Sequence, residues 1–306
     1  MTHVPFHFIP TPPVEVVAAD HVGLCLGSSF LGFYAHAGFL KGLVDAGIRP
    51  AHVAGCSAGA ITGGLYAGGC APDDLIEKIC SPPFRRAFFE PTVPLRAMSM
   101  LLNFPGVSGF LTGRSLISVI DEFVAGQRIE QLRAPRLSIA ATNITSGRAE
   151  VLGNGSLARG IVASAAVPML FSAVEMNGQH YLDGGIVNGF PIESLCENVD
   201  IDTIIVHRVT RRSEARVCER SGPPNIATAL TMAHRVIGER VLEMDRERAA
   251  ASGRKFIECE TVVDALPFSL TKKRRHVEAG IATAQASAEE WRAMLGVSLT
   301  PGGAAS

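Results

Sequence analysis

The chain has 306 residues, with 28 basic and 29 acidic side chains, a formal net charge of −1 and a hydrophobic fraction of 47%. These values exclude an intrinsically disordered chain, which would combine low hydrophobicity with high net charge. Because so small a net charge builds no long-range electrostatic field, we expect no nucleic-acid partner.

The cysteines and the first residues bear on the compartment. The seven cysteines are scattered, with no C-x-x-C pair, which predicts reduced thiols rather than disulfides or a zinc site. The proline-rich stretch 1–13 lacks a basic region followed by an apolar run, so it does not resemble a secretory signal. No apolar stretch approaches the ~18 residues of a membrane-spanning helix. We therefore expect a cytoplasmic protein, and peripheral contact with a membrane stays open.

The first seventy residues predict two consecutive strand-turn-helix units. The predicted elements are a strand at 22–26, a helix at 33–46, a strand at 52–54 and a helix at 60–67. The first of these strands is a short unbroken apolar run ending at Gly27, which is typical of a strand buried on both faces of a parallel sheet. The alternation of strands and helices predicts an α/β fold.

Further elements are predicted along the rest of the chain. Ser115 is expected to cap a helix with apolar residues on one side. Strands are predicted at 137–142, 149–152, 180–182, 203–209 and 256–263, and helices at 157–166, 226–251 and around Trp291. Because no internal repeat or low-complexity linker occurs, we predict one α/β domain over 1–306, with a motif-bearing core at about 20–195 and a helical C-terminal part at about 225–296.

A candidate nucleophile lies at the second strand-to-helix turn. Gly55, Ser57 and Gly59 fit the pattern G-x-S-x-G, which places a serine hydroxyl on a tight turn after a strand. Glycine is needed on either side because side chains there would collide as the turn closes. The alternative is a plain glycine-rich connector, and the predicted strand before and helix after the pentapeptide weigh against it.

The first strand-to-helix turn, 27–32, has the sequence GSSFLG and exposes backbone N–H groups. A Walker loop is excluded because Gly32 is followed by Phe33 and Tyr34 instead of Lys and Ser or Thr. A dinucleotide fingerprint is excluded by the spacing of the glycines. An oxyanion hole remains, since it needs backbone donors near a nucleophile. An ordinary turn is the alternative interpretation.

A serine nucleophile needs a base to take its proton. Among the nine histidines, position leaves His36, His180 and His276 open, and none has a local signature. Asp183 ends a predicted strand and precedes Gly184 and Gly185, so another segment could approach it closely. As a base, this carboxylate would need burial to raise its pKa from ~4 towards neutral pH. A hairpin turn is the competing interpretation of the tripeptide D-G-G.

Together these features resemble the patatin-like phospholipase family. The glycine-containing loop, G-x-S-x-G about thirty residues later, and D-G-G after the stretch ASAAVP at 163–168 occur in order, and the likeness runs from about Val22 to Ile192. The resemblance implies a three-layer sandwich with a central, mostly parallel sheet flanked by helices. The site residues that it implies are the nucleophile Ser57, the general base Asp183, the oxyanion-hole residues Gly27, Ser28 and Ser29, and the motif glycines Gly32, Gly55, Gly59, Gly184 and Gly185.

The same resemblance implies the chemistry. Family members cleave fatty acyl esters of phospholipids, lysophospholipids or neutral lipids through an acyl-enzyme, with no metal ion or cofactor. This chain departs from the usual loop G-G-G-x-[RK]-G, because Ser28 and Ser29 replace two glycines and Leu31 stands at the basic position. Loss of the basic side chain removes a contact to phosphate, which favours a neutral ester or thioester substrate.

Three other functions stay open. An α/β-hydrolase triad could use His276, although its nucleophile normally follows several strands and Ser57 follows only two. An acyltransferase would pass the acyl group to an alcohol instead of water. A catalytically inactive lipid-binding or regulatory module would explain the altered loop.

Two further segments have both a lipid-binding and an ordinary interpretation. The apolar, methionine-containing stretch 93–104 is either a mobile cap that meets lipid or a buried helix or dimer contact. The basic run 272–275 either contacts anionic head groups or is a solvated face. The oligomeric state is not predicted from the sequence.

Overall fold

The computed structural model describes residues 18–104, 106–212, 226–264 and 269–295. The strands are β1 (Ala18–Leu26), β2 (Arg49–Cys56), β3 (Gly109–Leu111), β4 (Arg136–Asn143), β5 (Arg148–Leu152), β6 (Met169–Phe171), β7 (Val174–Met176), β8 (Gln179–Asp183), β9 (Thr203–Arg211) and β10 (Lys255–Val263).

The helices lie between and after these strands. They are α1 (Phe33–Asp45), α2 (Ala58–Ala67), α3 (Pro72–Cys80), α4 (Pro82–Arg86), α5 (Val93–Leu101), α6 (Arg114–Phe123), α7 (Leu157–Ser164), α8 (Glu193–Cys196), α9 (Ile226–Ala251) and α10 (Leu270–Leu295), with 3₁₀ turns at Ile129–Gln131 and Gly184–Ile186.

An eight-stranded sheet forms the centre of the fold. Five strands run parallel, in the order β10, β9, β1, β2 and β4. β5 and β8 are antiparallel to β4, and β7 is antiparallel to β8. β3 and β6 form a separate two-stranded parallel sheet.

The pairing around β4 decides which strand ends meet. β5 pairs with Ile139 through Asn143 and so occupies one hydrogen-bonding edge of β4. β2 pairs with residues 136–140 and β8 with residues 141–143, so both lie along the opposite edge. The two strands run in opposite directions and meet end to end there. Cys56, the last residue of β2, is opposite Ala140, and Asp183, the last of β8, is opposite Ala141.

Apolar residues cover both faces of the sheet. Successive side chains of a strand point to opposite faces. In β1, Leu24 and Leu26 therefore enter a core cluster with α1, α2 and α7, whereas Cys25 enters a second cluster with Leu242 and Ala249 of α9. Helices thus lie on both sides of a mostly parallel sheet, and the three-layer α/β architecture implied by the resemblance is confirmed.

Some local expectations are wrong. α6 begins at Arg114 with Gly113 at its N-cap, in the left-handed conformation, so Ser115 lies inside the first turn and does not cap the helix. In stretch 93–104, none of the α5 residues is buried, which excludes the buried-helix interpretation. In the basic run, Lys273 is 5% exposed, with its ammonium 5.2 Å from the centre of the Tyr34 ring, so the run is not simply a solvated face.

The cysteines that the structure describes are free thiols. Four of these six are buried and two are partly buried, and none forms a disulfide. Cys218, the seventh, lies outside the described residues.

Asp245 is a carboxylate on the apolar face of α9. It is 4% exposed, on the same helix as Leu242 and Ala249 of the second cluster. One carboxylate oxygen is 3.5 Å from Arg248, and the other has no hydrogen-bond partner among the described residues. Burial raises the pKa of Asp245 to about 6, so its ionised form destabilises the fold at neutral pH.

We expect Asp245→Leu to raise the free energy of unfolding at pH 8 by ~1–3 kcal/mol, because an apolar side chain replaces a poorly partnered buried charge. The unfolded carboxyl titrates at ~3.9, so the penalty is absent below that pH and complete above about 6. The increase in the free energy of unfolding should therefore be ~1 kcal/mol larger at pH 8 than at pH 5. Urea unfolding at both pH values measures this difference.

Asp245→Asn is the matched control, because it removes the charge and keeps the shape. Like Asp245→Leu, it should remove the part of the pH dependence of unfolding that the Asp245 carboxyl causes. A leucine variant that unfolds at a lower urea concentration than wild type at pH 8 would contradict the prediction.

Candidate active site

Ser57 occupies the turn between β2 and α2. Its backbone lies at φ 54° and ψ −115°, a strained conformation for a residue with a Cβ. The Ser57 N–H donates to Ser164 Oγ at 3.0 Å, and that hydroxyl donates to the Ala140 carbonyl at 2.6 Å. The buried Ser164 side chain therefore links the turn to β4 and holds the strained backbone in place.

The structure brings Ser57 and Asp183 together. The Ser57 hydroxyl donates to Asp183 Oδ2 at 2.6 Å, within the range that proton transfer requires. The contact follows from the sheet, since β2 and β8 end at adjacent residues of β4. Both side chains are buried, with 7% of Ser57 and 5% of Asp183 exposed.

Hydrogen bonds fix the Asp183 residue from several sides. Its Oδ1 accepts from the Gly185 N–H at 2.7 Å, its own N–H donates to the Ala166 carbonyl at 2.9 Å, and its carbonyl accepts from Thr142 Oγ1 at 2.8 Å. Burial raises the pKa of Asp183 to about 6, and the bonds from Ser57 and Gly185 oppose this rise. At neutral pH the group is ionised, yet it is a stronger base than an exposed aspartate.

The D-G-G sequence forms a helix cap rather than a hairpin turn. Asp183 caps the short 3₁₀ turn Gly184–Ile186, so the hairpin interpretation is wrong. A Cβ on Gly184 would lie 2.3 Å from the Ala140 carbonyl oxygen, and one on Gly185 would lie 2.5 Å from Ser28 Oγ. Gly184 thus lets the chain pass close to β4, and Gly185 lets the loop at 27–32 approach the carboxylate.

That loop offers fewer free donors than its sequence suggests. The Gly27 N–H donates to the His207 carbonyl at 3.1 Å, and the Ser28 N–H donates to the Gly189 carbonyl at 2.8 Å. Among the described residues, the N–H groups of Ser29 and Phe30 have no acceptor. Of the three residues expected to form the oxyanion hole, only Ser29 therefore keeps a free donor.

The serines do not strain this loop. Leu31 has φ 57°, whereas neither Ser28 nor Ser29 has a positive φ. Both serines therefore avoid the left-handed backbone region, in which a Cβ is penalised.

Two features beside Ser57 were not predicted from the sequence. The N–H groups of Ala58 and Gly59 lie in the first turn of α2, where an α-helix provides no acceptor and its dipole favours negative charge. Ser164 lies within the stretch 163–168 that supports the family resemblance, but its bond to the Ser57 N–H spans distant segments. The only sequence signal for this role of Ser164 is that a serine occurs in an otherwise apolar run.

The histidines lie elsewhere. His36 is buried in α1, with its ring against the loop at 27–32, and His180 is exposed on β8. His276 lies on α10. The Ser57 hydroxyl instead has a carboxylate as its partner. No group of three or more His, Cys, Asp or Glu side chains that could hold a metal ion occurs in the part of the chain that the structure describes.

An apolar cavity of about 640 Å³ opens beside α5 and the small β3–β6 sheet. It is lined by Phe88, Phe89, Glu90, Pro91, Val93, Phe110, Leu111 and Leu170. Leu170 is four residues after Ala166, the backbone partner of Asp183. Four residues span at most ~14 Å, so Leu170 in the cavity wall lies within that distance of Ala166.

Exposed apolar side chains surround the same region. We define the α5 surface as Phe89, Leu95, Met98, Leu101, Leu102 and Phe104, each more than half exposed. Large exposed apolar patches are characteristic of protein or membrane interaction sites. None of the helices within the described ranges is long and apolar enough to cross a membrane.

Comparison with known families decides the classification. The family model for patatin-like phospholipases matches residues 24–195, more than half of the chain. This chain belongs to the patatin-like phospholipase family. The matched range contains Ser57, Asp183 and the loop at 27–32, and the chain beyond Leu195 lies outside it.

Individual relatives are more distant. An uncharacterized NTE family protein of Mycobacterium tuberculosis is 28% identical over 212 residues, covering 68% of this chain and 54% of the relative. A lysophospholipase NTE1 of Yarrowia lipolytica is 32% identical over 183 residues, covering 59% of this chain and 12% of the relative. The chain thus spans about half the length of the mycobacterial protein. The crystal structure of VipD from Legionella pneumophila superposes with a TM-score of 0.47 at 16% identity, covering 89% of this chain and 67% of VipD.

Proposed function

We propose that the protein is a serine acyl-ester hydrolase that releases fatty acids from phospholipid, lysophospholipid or neutral lipid esters. The observation that carries the proposal is the 2.6 Å hydrogen bond from Ser57 to the buried carboxylate of Asp183. Family membership and the name of the Yarrowia lipolytica relative, a lysophospholipase, support a lipid ester as substrate.

In the first step Asp183 takes the hydroxyl proton as Ser57 Oγ attacks the acyl carbonyl carbon. The carbonyl electron pair moves to oxygen, and the N–H groups of Ser29, Phe30 and Ala58 stabilise the oxyanion. Ser29 and Phe30 take the place expected for Gly27 and Ser28, whose N–H groups are occupied. When the intermediate collapses, the carbon–oxygen bond to the alcohol breaks and Asp183 returns the proton to the leaving oxygen.

In the second step water attacks the acyl-enzyme. Asp183 accepts a proton from that water, the oxyanion forms again, and its collapse releases the fatty acid while the proton returns to Ser57 Oγ. One carboxylate thus acts as base and then acid in each step.

The substrate's acyl chain is proposed to occupy the cavity beside α5. The cavity has an almost entirely apolar lining, and its volume of about 640 Å³ is typical of ligand sites. Leu31 stands in the loop where the family usually has a cation. This favours a neutral ester over one that needs a phosphate contact.

Fluorophosphonate labelling, together with hydrolysis of short and long p-nitrophenyl esters, tests the proposal. We expect wild type to be labelled on Ser57 and to hydrolyse both esters, and Ser57→Ala to do neither. A Ser57→Ala protein that hydrolyses esters at the wild-type rate would overturn the proposal. A folded wild type that is not labelled would favour the lipid-binding module, and ester formation with an added alcohol would favour the acyltransferase.

The rate should depend on the ionisation of Asp183. Because burial raises its pKa to about 6, the base form is complete above that pH and is lost as the pH falls through it. We expect kcat/KM for a soluble ester to fall about tenfold for each pH unit below 6, whereas an exposed aspartate would stay ionised to pH ~4. A pH–rate profile checks this, and a flat profile from pH 8 to 5 would contradict it.

The α5 surface should contact lipid aggregates. Leu101 is 79% exposed, and burying one leucine gives ~1.5–3 kcal/mol. We therefore expect Leu101→Asp to weaken binding to phosphatidylcholine vesicles at least about tenfold, without changing turnover of p-nitrophenyl acetate. Co-sedimentation measures the binding. Val199→Asp is the matched control, because Val199 is 89% exposed but lies between α8 and β9. Equal loss of binding in both variants would contradict the proposal that the α5 surface contacts lipid.

A further inference from the structure

A chain of buried polar side chains extends from the loop at 27–32 to α10. His36 Nδ1 on α1 is 2.8 Å from His207 Nδ1 on β9, and His207 Nε2 is 2.8 Å from Thr261 Oγ1 on β10. Thr261 Oγ1 is in turn 2.8 Å from Thr283 Oγ1 on α10. Both histidines are fully buried, and Thr261 is 1% exposed. The reaction proposed above uses none of these side chains.

The contact with the loop fixes the tautomers of both rings. His36 Nε2 is 2.9 Å from the Gly27 carbonyl oxygen. Because a carbonyl oxygen only accepts, this nitrogen must carry a hydrogen. In a neutral ring, Nδ1 of His36 is then an acceptor, so the 2.8 Å contact between the two Nδ1 atoms makes Nδ1 of His207 the donor. Burial lowers the pKa of His36 to about 4 and that of His207 well below its usual value, which agrees with two neutral rings.

The network therefore clamps the first peptide groups of the loop. The Gly27 carbonyl accepts from the His36 side chain, while the Gly27 N–H donates to the backbone carbonyl of His207. The Ser28 N–H, which belongs to the same peptide group as the Gly27 carbonyl, donates to the Gly189 carbonyl. Ser29 Oγ lies 3.4 Å from the same Nε2 of His36. The direction of the following N–H groups, those of Ser29 and Phe30, depends on these anchors.

Phe39 supports the clamp from one side. Its ring stacks on the His207 imidazole with centroids 3.9 Å apart and planes 6° from parallel. The His207 ring therefore has little freedom to rotate, and the donor that it presents to His36 is held in one direction. A loop whose donors must meet a developing oxyanion benefits from such preorganisation, since small displacements cost large factors in rate.

We propose that His36, held in a single tautomer by the Gly27 carbonyl and His207, is a positioning residue that orients the Ser29 and Phe30 N–H groups toward the oxyanion. This inference rests on the hydrolase function proposed above. His36 contacts no reacting atom in this arrangement; it acts through the Gly27 peptide.

Three variants of the 306-residue chain test the proposal. His36→Leu removes the donor to Gly27, whereas His36→Gln keeps an N–H that reaches the same carbonyl. Ser138→Ala is the matched control, because it breaks a similar buried bond, 2.9 Å between Ser138 Oγ and His52 Nε2. His52 pairs with Gly23 of β1, which lies four residues or ~13 Å along the strand before Gly27, so this control does not alter the anchors of the loop.

The readouts are kcat, KM and the pH–rate profile with p-nitrophenyl butyrate. We expect His36→Leu to lower kcat ~10- to 100-fold, with KM within about twofold and the pH at half-maximal rate unchanged, because the lost stabilisation acts only in the transition state. His36→Gln should restore kcat to within about threefold of wild type, and Ser138→Ala should leave kcat unchanged.

Two results would overturn the inference. One is a folded His36→Leu protein with the kcat of wild type, and the other is a His36→Gln protein as slow as His36→Leu. Should His36→Leu fail to fold, His207→Phe replaces it. That variant removes the ring nitrogen that lies 2.8 Å from His36 Nδ1 and keeps an aromatic ring that can stack on Phe39. It should lower kcat with unchanged KM, and a wild-type kcat would overturn the inference.

Failure of the hydrolase function is a separate result. It appears as a wild type that is not labelled, or as hydrolysis that persists in Ser57→Ala. The positioning role fails only where wild-type hydrolysis depends on Ser57 and the His36 and His207 variants do not slow it.

Discussion

Asp183→Asn should lower turnover by ~10²- to 10⁴-fold and leave the protein folded. Asparagine has the same shape, so its amide oxygen still accepts from the Gly185 N–H, as Asp183 Oδ1 does at 2.7 Å. At the position of Oδ2, 2.6 Å from Ser57 Oγ, the carboxylate oxygen is replaced by an amide group that cannot take a proton. We therefore expect a lower kcat and slower fluorophosphonate labelling.

The stability of this variant separates lost chemistry from lost structure. Burial raises the pKa of Asp183 to about 6, so its ionised form costs folding free energy above that pH. We therefore expect Asp183→Asn to be at least as resistant to urea as wild type at pH 8. Turnover retained in Asp183→Asn and lost in Ser57→Ala would instead indicate another base. A less stable Asp183→Asn protein would contradict the conclusion that the buried, ionised carboxylate of Asp183 costs folding free energy at pH 8.

Gly59→Ala should destabilise the whole fold by more than ~3 kcal/mol and abolish labelling of Ser57. A Cβ on Gly59 would lie 1.9 Å from the Leu26 carbonyl oxygen and 2.5 Å from its carbonyl carbon. These are backbone atoms of a central strand, so no side chain can rotate away to relieve the collision. The first turn of α2 would have to move away from β1, and Ser57 with it.

Gly153→Ala is the control for this substitution. Gly153 follows β5, its added Cβ would meet nothing within 4 Å, and its backbone does not need a positive φ. We expect wild-type thermal unfolding and labelling in this control. Thermal unfolding followed by circular dichroism measures both variants, and a Gly59→Ala protein that melts at the wild-type temperature would contradict the steric account.

Several features could be predicted because their causes are local. The turn at Ser57 depends on glycines within two residues of it: a Cβ on Gly55 would lie 2.6 Å from the Gly59 carbonyl oxygen. The bounds of α9 agree with the predicted helix at 226–251, because helical periodicity is a pattern of residues that lie close together in the sequence. The short strands β3, β6 and β7, each three residues long, have no such signal, and their pairing partners stabilise them.

The candidate site shows the limit of this local reasoning. Sequence patterns nominated Ser57 and Asp183 separately, and the resemblance to a family paired them. They meet, 126 positions apart, because β5 covers one edge of β4 and leaves β2 and β8 to end against each other on the opposite edge.

The sequence by itself determined the α/β class, the serine turn and the family, since these follow from patterns within short segments. The tertiary structure alone decided which N–H groups are free to stabilise an oxyanion. Ser28 looked like a donor until the fold placed the Gly189 carbonyl 2.8 Å from its N–H. It also decided that His36 lies against the Gly27 carbonyl and His207. Tertiary packing determines which distant segments come close enough to form hydrogen bonds, and no local sequence pattern specifies these partners.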